Sequence, residues 1–577
     1  MALPTPIARY GDKSANAPLK LSYDKGPTDT PLIEQTIGEL FDELVQAYPD
    51  REALVSVHQN RRFTFKELQA EANRLASAFI KSGLQKGDRI GIWSHNNYQW
   101  VVMLLACAKT GVILVNINPA YRLFELEYAL NKVGCKAIVA MRRFKTSDYV
   151  GMLQELVPET ASRPSGSLQP EKAPMLERIV WFDEAGDTET FAGIDKFSDW
   201  IATGDADDSA VAERAATLDR HDPINIQFTS GTTGAPKGAT LTHRNILNNG
   251  FFIGEAMYLT KEDRLCIPVP MYHCFGMVLG VLAIMTHGGC IVYPNDGFDP
   301  LTVLETVEKE KCTGLHGVPT MFIAEFNHPR FKEFDLSSLR TGIMAGSSCP
   351  IEVMKRVNQE MHLDEITIAY GMTETSPVSC QSSPATPIDK RVSTVGLVQP
   401  HLEVKIVDVI TGEIVPCGES GELCTKGYSV MQGYWGSEAQ TRDAIRDGWM
   451  HTGDLATMDE DGYVKIVGRI KDMVIRGGEN IYPTEIEGFL YRHEAIQDVQ
   501  IVGVPDAHFG EVLAAWIIVK EGHALDEEGV REFCKGNIAH YKVPQYIRFV
   551  KEFPMTVSGK IQKFKIVQAM KEELGLE

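Results

Sequence analysis

Thr229-Ser-Gly-Thr-Thr-Gly-Ala-Pro-Lys-Gly238 is the stretch on which the reading of this chain turns. It holds four hydroxyl residues, three glycines and one lysine. An alternating apolar run, Ile224 to Phe228, precedes it, and a helix is expected from Asn245 onward. Glycine lets the backbone turn tightly and bring its N–H groups close to a ligand. Successive N–H groups aimed into one concavity form an anion nest. Hydroxyl donors and the charge of Lys237 complete the makings of a polyphosphate clamp. The spacing is not that of a Walker A loop, which requires G-x-x-x-x-G-K-[ST]. Pro236 stands where the second glycine belongs, and Lys237 is followed by Gly238.

The rest of the chain narrows the class. Its 577 residues are too many for one core, so at least two domains are expected. Composition is that of a globular protein, 44% hydrophobic and 23% charged. With 57 basic and 77 acidic residues the formal charge is −20, which argues against nucleic-acid binding. An anionic ligand must therefore be held by local donors against an unfavourable overall field. The 11 cysteines are scattered, without a C-x-x-C pair, which argues against a disulfide framework or a zinc site and points to a reducing compartment. The N-terminus lacks the apolar core of a signal peptide. The longest apolar stretches, Phe275 to Met285 and Val101 to Ala108, are too short to cross a bilayer. A soluble cytoplasmic protein is expected.

Alternating strand and helix patterns run through the first two thirds. Thr64-x-x-Glu67 is a capping-box pattern opening a helix, with Leu68, Ala72, Leu75, Phe79 and Ile80 at helical spacing. Arg89 to Trp93, Val112 to Ile117 and Ala137 to Ala140 read as short buried strands. Such alternation implies a mostly parallel sheet. Pro158 to Pro174 reads as an exposed loop. From Leu402, short strands separated by glycine turns suit an antiparallel, barrel-like module. Beyond about Asp472 the pattern is mixed and ends in a charged helix. The expected fold is thus α/β: a large N-terminal domain of α/β sheets with a small β-barrel-like module, then a small α+β domain.

The motifs, taken together, resemble those of the adenylate-forming superfamily of acyl-CoA synthetases, luciferases and peptide-synthetase adenylation domains. The Thr229–Gly238 loop resembles its phosphate loop. Ala369-Tyr-Gly-Met-Thr-Glu-Thr375 is similar to its adenine and magnesium motif, and Gly448-Trp-Met-His-Thr-Gly-Asp454 to its ribose motif. Gly468-Arg-Ile-Lys-Asp472, with Ile475-Arg-Gly-Gly-Glu-Asn-Ile-Tyr-Pro483, resembles its hinge and second-step loop. Pro554-Met-Thr-Val-Ser-Gly-Lys560 resembles its C-terminal lysine motif. Five matches in family order between residues 229 and 560 are far more specific than any one of them.

The resemblance implies ATP-dependent activation of a carboxylic acid to an acyl-adenylate, then transfer to coenzyme A. It places residues 1–470 in an AMP-binding domain and 471–577 in a mobile C-terminal domain hinged at Lys471. It assigns Thr229, Ser230, Gly231, Thr232, Thr233, Gly234 and Lys237 to the phosphates, and Glu374 to Mg²⁺, with Thr373 beside it. Tyr370 and Gly371 fall at the adenine, Gly346 at the wall between adenine and acyl group, and Asp454 and Arg469 at the ribose. Lys560 would bridge the α-phosphate and the substrate carboxylate. Gly477 and Gly478 would pass the CoA arm, and His273 would orient or gate the acyl pocket. A carboxylate suits Mg²⁺, which binds through one or two acids plus phosphate oxygens.

Pro270 to Gly276 contains no acid to hold an α-amino group, so amino acids are disfavoured. The small residues Gly276, Gly280 and Ala283 in an apolar run are expected to leave a groove for an alkyl chain. A medium- or long-chain fatty acid is the preferred substrate, an aryl acid the alternative, and loading of a carrier protein a further one. The partners are the acid, ATP and CoA, with a homodimer allowed.

Overall fold

The computed structural model describes residues 18–184, 186–229, 236–346, 349–476, 479–506, 508–535, 537–556 and 561–576. Two large sheets carry most of the chain. The first, of eight strands, runs Asp195–Lys196, Arg178–Phe182, Cys135–Met141, Arg89–Trp93, Ile113–Asn116, Pro223–Thr229, Lys237–Thr242, Gly433–Tyr434. It is parallel as far as Pro223–Thr229, where the chain turns back antiparallel. The second, of nine strands, has a parallel centre comprising Glu365–Gly371, Thr341–Met344, Gly314–Gly317, Arg264–Cys266, Cys290–Tyr293 and Glu52–Ser56.

Helices share one core with both sheets. Helix Phe65–Lys81 begins on the expected capping box: Thr64 Oγ1 accepts from Glu67 N–H and the Glu67 carboxylate accepts from Thr64 N–H. Two orphan donors are thereby satisfied and the helix entry is fixed. Its Leu68, Ala72, Leu75 and Phe79 are buried, and Ile80 packs partly buried against them. Helix Gln99–Thr110 is buried on all sides, as its unbroken apolar run requires. Helix His243–Ala256 completes the layer, and the core joins Ile92 and Leu114 of one sheet to Leu265 and Ile343 of the other.

A third, six-stranded sheet is antiparallel, as expected from Leu402 onward. Its ladder runs Tyr23–Lys25, Leu402–Val407, Gly421–Gly427, Trp449–Met458, Ile445–Arg446, with Val464–Arg469 also on Trp449–Met458. Among the described residues this ladder is open. Beyond a single 3₁₀ turn, Ile470–Asp472, a five-stranded sheet forms around Gly510–Val519 and Ile496–Asp506. One face buries Val499, Ile501, Leu513 and Ala515 beside helices Pro483–Leu490 and Glu527–Cys534. The other buries Val502, Val504 and Val512 with Ile566 and Met570 of helix Lys563–Leu574. A sheet covered on both faces by its own helices has cores of its own.

Two expectations need correction. Between Thr229 and the helix lies a strand that was not expected: Lys237–Thr242 pairs antiparallel with Pro223–Thr229, Thr229 and Lys237 being Cα partners, and the helix expected from Asn245 begins at His243. The apolar run from Phe275 also differs. It is a π-helix, Phe275–Leu282, continued by the α-turn Ala283–Thr286. A Cβ on Gly276 would lie 2.4 Å from Pro270 O, and one on Gly280 3.0 Å from the Ile267 side chain. These glycines seat the helix against its neighbours and leave no alkyl groove at their own positions.

Candidate active site

The strand ends bring the motifs together. Thr229 closes the parallel strand Pro223–Thr229, Tyr370 and Gly371 close Glu365–Gly371, and Gly346 lies two residues beyond Thr341–Met344. In sheets of this kind ligands bind outside the carboxyl ends of the strands. Gly371 is required by contact, because a Cβ there would lie 1.7 Å from Pro377 O.

Glu374 sits on a 3₁₀ turn, Thr373–Thr375, and is buried. Its Oε1 accepts from Thr229 Oγ1 at 3.0 Å and from the Tyr434 phenol at 2.8 Å. Its backbone carbonyl accepts from Met431 N–H at 2.9 Å. Both side-chain donors are neutral, and among the described residues Glu374 forms no ion pair. Lys237 Nζ lies 5.0 Å from the centre of the Tyr434 ring, a cation–π distance. Burial, and then the charge of Glu374, push the Tyr434 phenol above its ordinary range, so it stays a donor. Thr373 is buried, with Oγ1 3.7 Å from Cys274 Sγ.

His273 precedes the π-helix, and its Nδ1 accepts from Phe275 N–H at 3.1 Å. In the neutral ring this places the proton on Nε2, which makes that nitrogen a donor rather than a base.

Asp454 makes a second corner, also buried. Its Oδ2 accepts from the Tyr370 phenol at 2.7 Å, and its Oδ1 pairs with Arg469 Nε at 2.9 Å. Strand pairing produces this pair directly, since Asp454 and Arg469 are Cα partners. The charge of Asp454 raises the Arg469 guanidinium, while burial and then Asp454 raise the Tyr370 phenol.

The structure thus brings together Thr229, Lys237, Thr373 and Glu374 in one corner and Tyr370, Asp454 and Arg469 in another. Lys471 is exposed on the 3₁₀ turn that follows Arg469. Ser230, Gly231, Thr232, Thr233, Gly234, Gly477, Gly478 and Lys560 lie outside the described residues. Sequence reasoning missed Tyr434, which supplies one of the two hydrogen bonds to the Glu374 carboxylate among the described residues. It stands in Gly433-Tyr-Trp435 without a charge or spacing pattern to mark it.

Comparison with known proteins agrees with this geometry. Residues 41–435 match the AMP-binding enzyme family and residues 485–560 its C-terminal domain. The chain belongs to the AMP-binding enzyme family. The provisionally named acyl-CoA synthetase YngI of Bacillus subtilis is 48% identical over 547 residues, covering 94% of this chain and 99% of that protein. The mitochondrial medium-chain acyl-CoA ligase ACSF2 of Rattus norvegicus is 44% identical, covering 96% of this chain and 91% of that protein. Among solved structures, the anthranilate CoA ligase AuaEII in complex with anthranoyl-AMP superposes with a TM-score of 0.83. It is 26% identical and covers 95% of this chain and 99% of its own. Among the described residues, no helix is long and apolar enough to cross a membrane.

Proposed function

We propose that this protein is an AMP-forming acyl-CoA ligase that activates a medium- or long-chain fatty acid. In the first step a carboxylate oxygen attacks the α-phosphorus of ATP, forming the acyl-adenylate and releasing pyrophosphate. In the second the CoA thiol attacks the acyl carbon, forming the thioester and releasing AMP and the thiol proton. Two anions meet in the first step, so the site must present donors and positive charge where charge develops.

The observation that carries this reading is the pair of buried carboxylates, Asp454 partnered by a cation and Glu374, among the described residues, only by neutral hydroxyls. Asp454, oriented by Tyr370 and Arg469, accepts the ribose hydroxyls, a role suited to an ionised carboxylate. Glu374 and Thr229 offer hard oxygen donors and an uncompensated negative charge, which fit Mg²⁺. Bound there with the phosphates, Mg²⁺ would supply charge neutralisation. Ser230, Gly231, Thr232, Thr233, Gly234 and Lys237 hold the β- and γ-phosphates, and Thr373 contacts phosphate beside Glu374. Gly346 and Gly371 line the adenine, and His273 donates from Nε2 toward the acyl end. Lys560 neutralises the first transition state. Residues 471–577 form the moving domain, pivoting at Lys471 to exchange Lys560 for Gly477 and Gly478, which admit CoA.

The alkyl preference rests on the named medium-chain relative rather than on a groove. An aryl acid is the second reading, favoured by the fold neighbour holding anthranoyl-AMP. A reducing compartment such as the cytoplasm is part of the proposal, on the scattered cysteine pattern of the sequence. The test is a panel of alkyl and aryl acids assayed for acid-dependent AMP release with and without CoA. Fastest CoA-dependent release with medium- or long-chain alkyl acids is expected. Pyrophosphate exchange without CoA-dependent AMP release would instead point to a carrier protein as acceptor.

A further inference from the structure

Glu422, Cys424 and His451 lie together behind the Asp454 corner, and the assignments above give them no role. Strands Gly421–Gly427 and Trp449–Met458 pair antiparallel, with Glu422 opposite Leu455 and Cys424 opposite His451. Between those pairs the register slips, so Thr452, Gly453 and Asp454 together face Leu423 alone. Such a bulge re-aims side chains but leaves backbone groups without ladder partners. Side chains supply them. Glu422 Oε1 accepts from Gly453 N–H at 3.0 Å, where the backbone has a φ of 70° that suits glycine. Thr452 Oγ1 donates to Leu423 O at 2.7 Å and accepts from Asp454 N–H at 3.1 Å. His451 Nδ1 lies 2.8 Å from Glu422 Oε2 and holds that carboxylate from its other side.

The geometry points to Glu422 and His451 as positioning residues that fix the Thr452–Gly453–Asp454 bulge and thereby aim the Asp454 carboxylate at the ribose. Burial opposes the Glu422 charge. The His451 hydrogen bond and charge, with Gly453 N–H, outweigh it and hold this carboxyl below the usual range. The three side chains could in principle share a soft divalent ion, since their ligand atoms all lie within 4.8 Å of one another. Two features favour the positioning role. Glu422 and His451 already satisfy each other, and burial pushes the Cys424 thiol up to about 12, against the thiolate that a metal needs.

This inference rests on Asp454 as the ribose acceptor, and a double-mutant cycle separates the two claims. Asp454→Ala alone tests the acceptor through loss of preference for ATP over 2′-deoxy-ATP. Glu422→Ala should raise KM for ATP by up to about tenfold, no more than Asp454→Ala itself, because it acts through that carboxylate. It should also erode the same preference. Glu422→Gln, which keeps an acceptor for Gly453 N–H, should recover much of it. Adding Glu422→Ala to Asp454→Ala should change the preference no further, since residues acting through one group are not additive. Melting curves on every variant identify plain misfolding, and the Gln variant keeps the test alive if the Ala variant is unstable. An unchanged preference in folded Glu422→Ala, or simple additivity with Asp454→Ala, overturns the inference. So does loss of preference on treatment with chelator that Zn²⁺, and not Mg²⁺, restores.

Discussion

Glu374 and Asp454 are both buried acids at the rim of one site, yet their surroundings differ in kind. Asp454 is neutralised by Arg469 and held by Tyr370. Among the described residues, the Glu374 carboxylate receives only the hydroxyls of Thr229 and Tyr434. A buried carboxylate with neutral partners keeps its charge uncompensated, a costly arrangement unless a cation is to join it. A carboxylate already paired with arginine has its charge met and is free to act through the directions of its lone pairs. On the proposed function, the first corner attracts positive charge and the second reads hydroxyl geometry.

The largest effect is expected from a cation that belongs to neither corner. Lys560→Ala should slow adenylate formation about 10²- to 10³-fold, the scale of losing one donor to developing charge. Preformed acyl-adenylate plus CoA should still react at nearly the wild-type rate. Equal loss in both half-reactions would remove Lys560 from the first transition state. Next, Glu374→Gln should lower acid-dependent pyrophosphate exchange about a hundredfold at low Mg²⁺, and excess Mg²⁺ should recover part of it. Asp454→Ala should act on nucleotide selection, raising KM for ATP about tenfold with a smaller fall in kcat. The smallest change is expected for Tyr434→Phe, which removes one hydroxyl from Glu374 and leaves Thr229 in place. Exchange should fall only about three- to tenfold, with a slightly higher Mg²⁺ requirement. An effect of Tyr434→Phe as large as that of Glu374→Gln would make the phenol, rather than the carboxylate, the main group of that corner.

Local patterns were legible where one physical rule dominates. The capping box at Thr64 and the strand Arg89–Trp93 lie where their residues place them. Strand Lys237–Thr242 was missed because its alternating part, Ala239 to Thr242, is only four residues long and follows directly on the glycine-rich loop. The pairing of Tyr23–Lys25 with Leu402–Val407 joins segments nearly the whole large domain apart, which no local pattern encodes. Gly276 and Gly280 read equally well as a groove or as close packing, and only the approach of Pro270 and Ile267 distinguishes them. The motif acids Glu374 and Asp454 stood out in the sequence, and both are buried in the structure. Their division of labour was not readable, because it depends on Tyr434 and on the register that sets Arg469 opposite Asp454.

That division is tested most directly by crossing two titrations, Mg²⁺ dependence and ATP against 2′-deoxy-ATP, in acid-dependent pyrophosphate exchange by wild type, Glu374→Gln and Asp454→Ala. Glu374→Gln should need about tenfold or more Mg²⁺ while keeping the wild-type preference for ATP. Asp454→Ala should lose that preference while keeping the wild-type Mg²⁺ requirement. Equal displacement of both variants on both titrations would contradict the assignment of cation and ribose to separate corners.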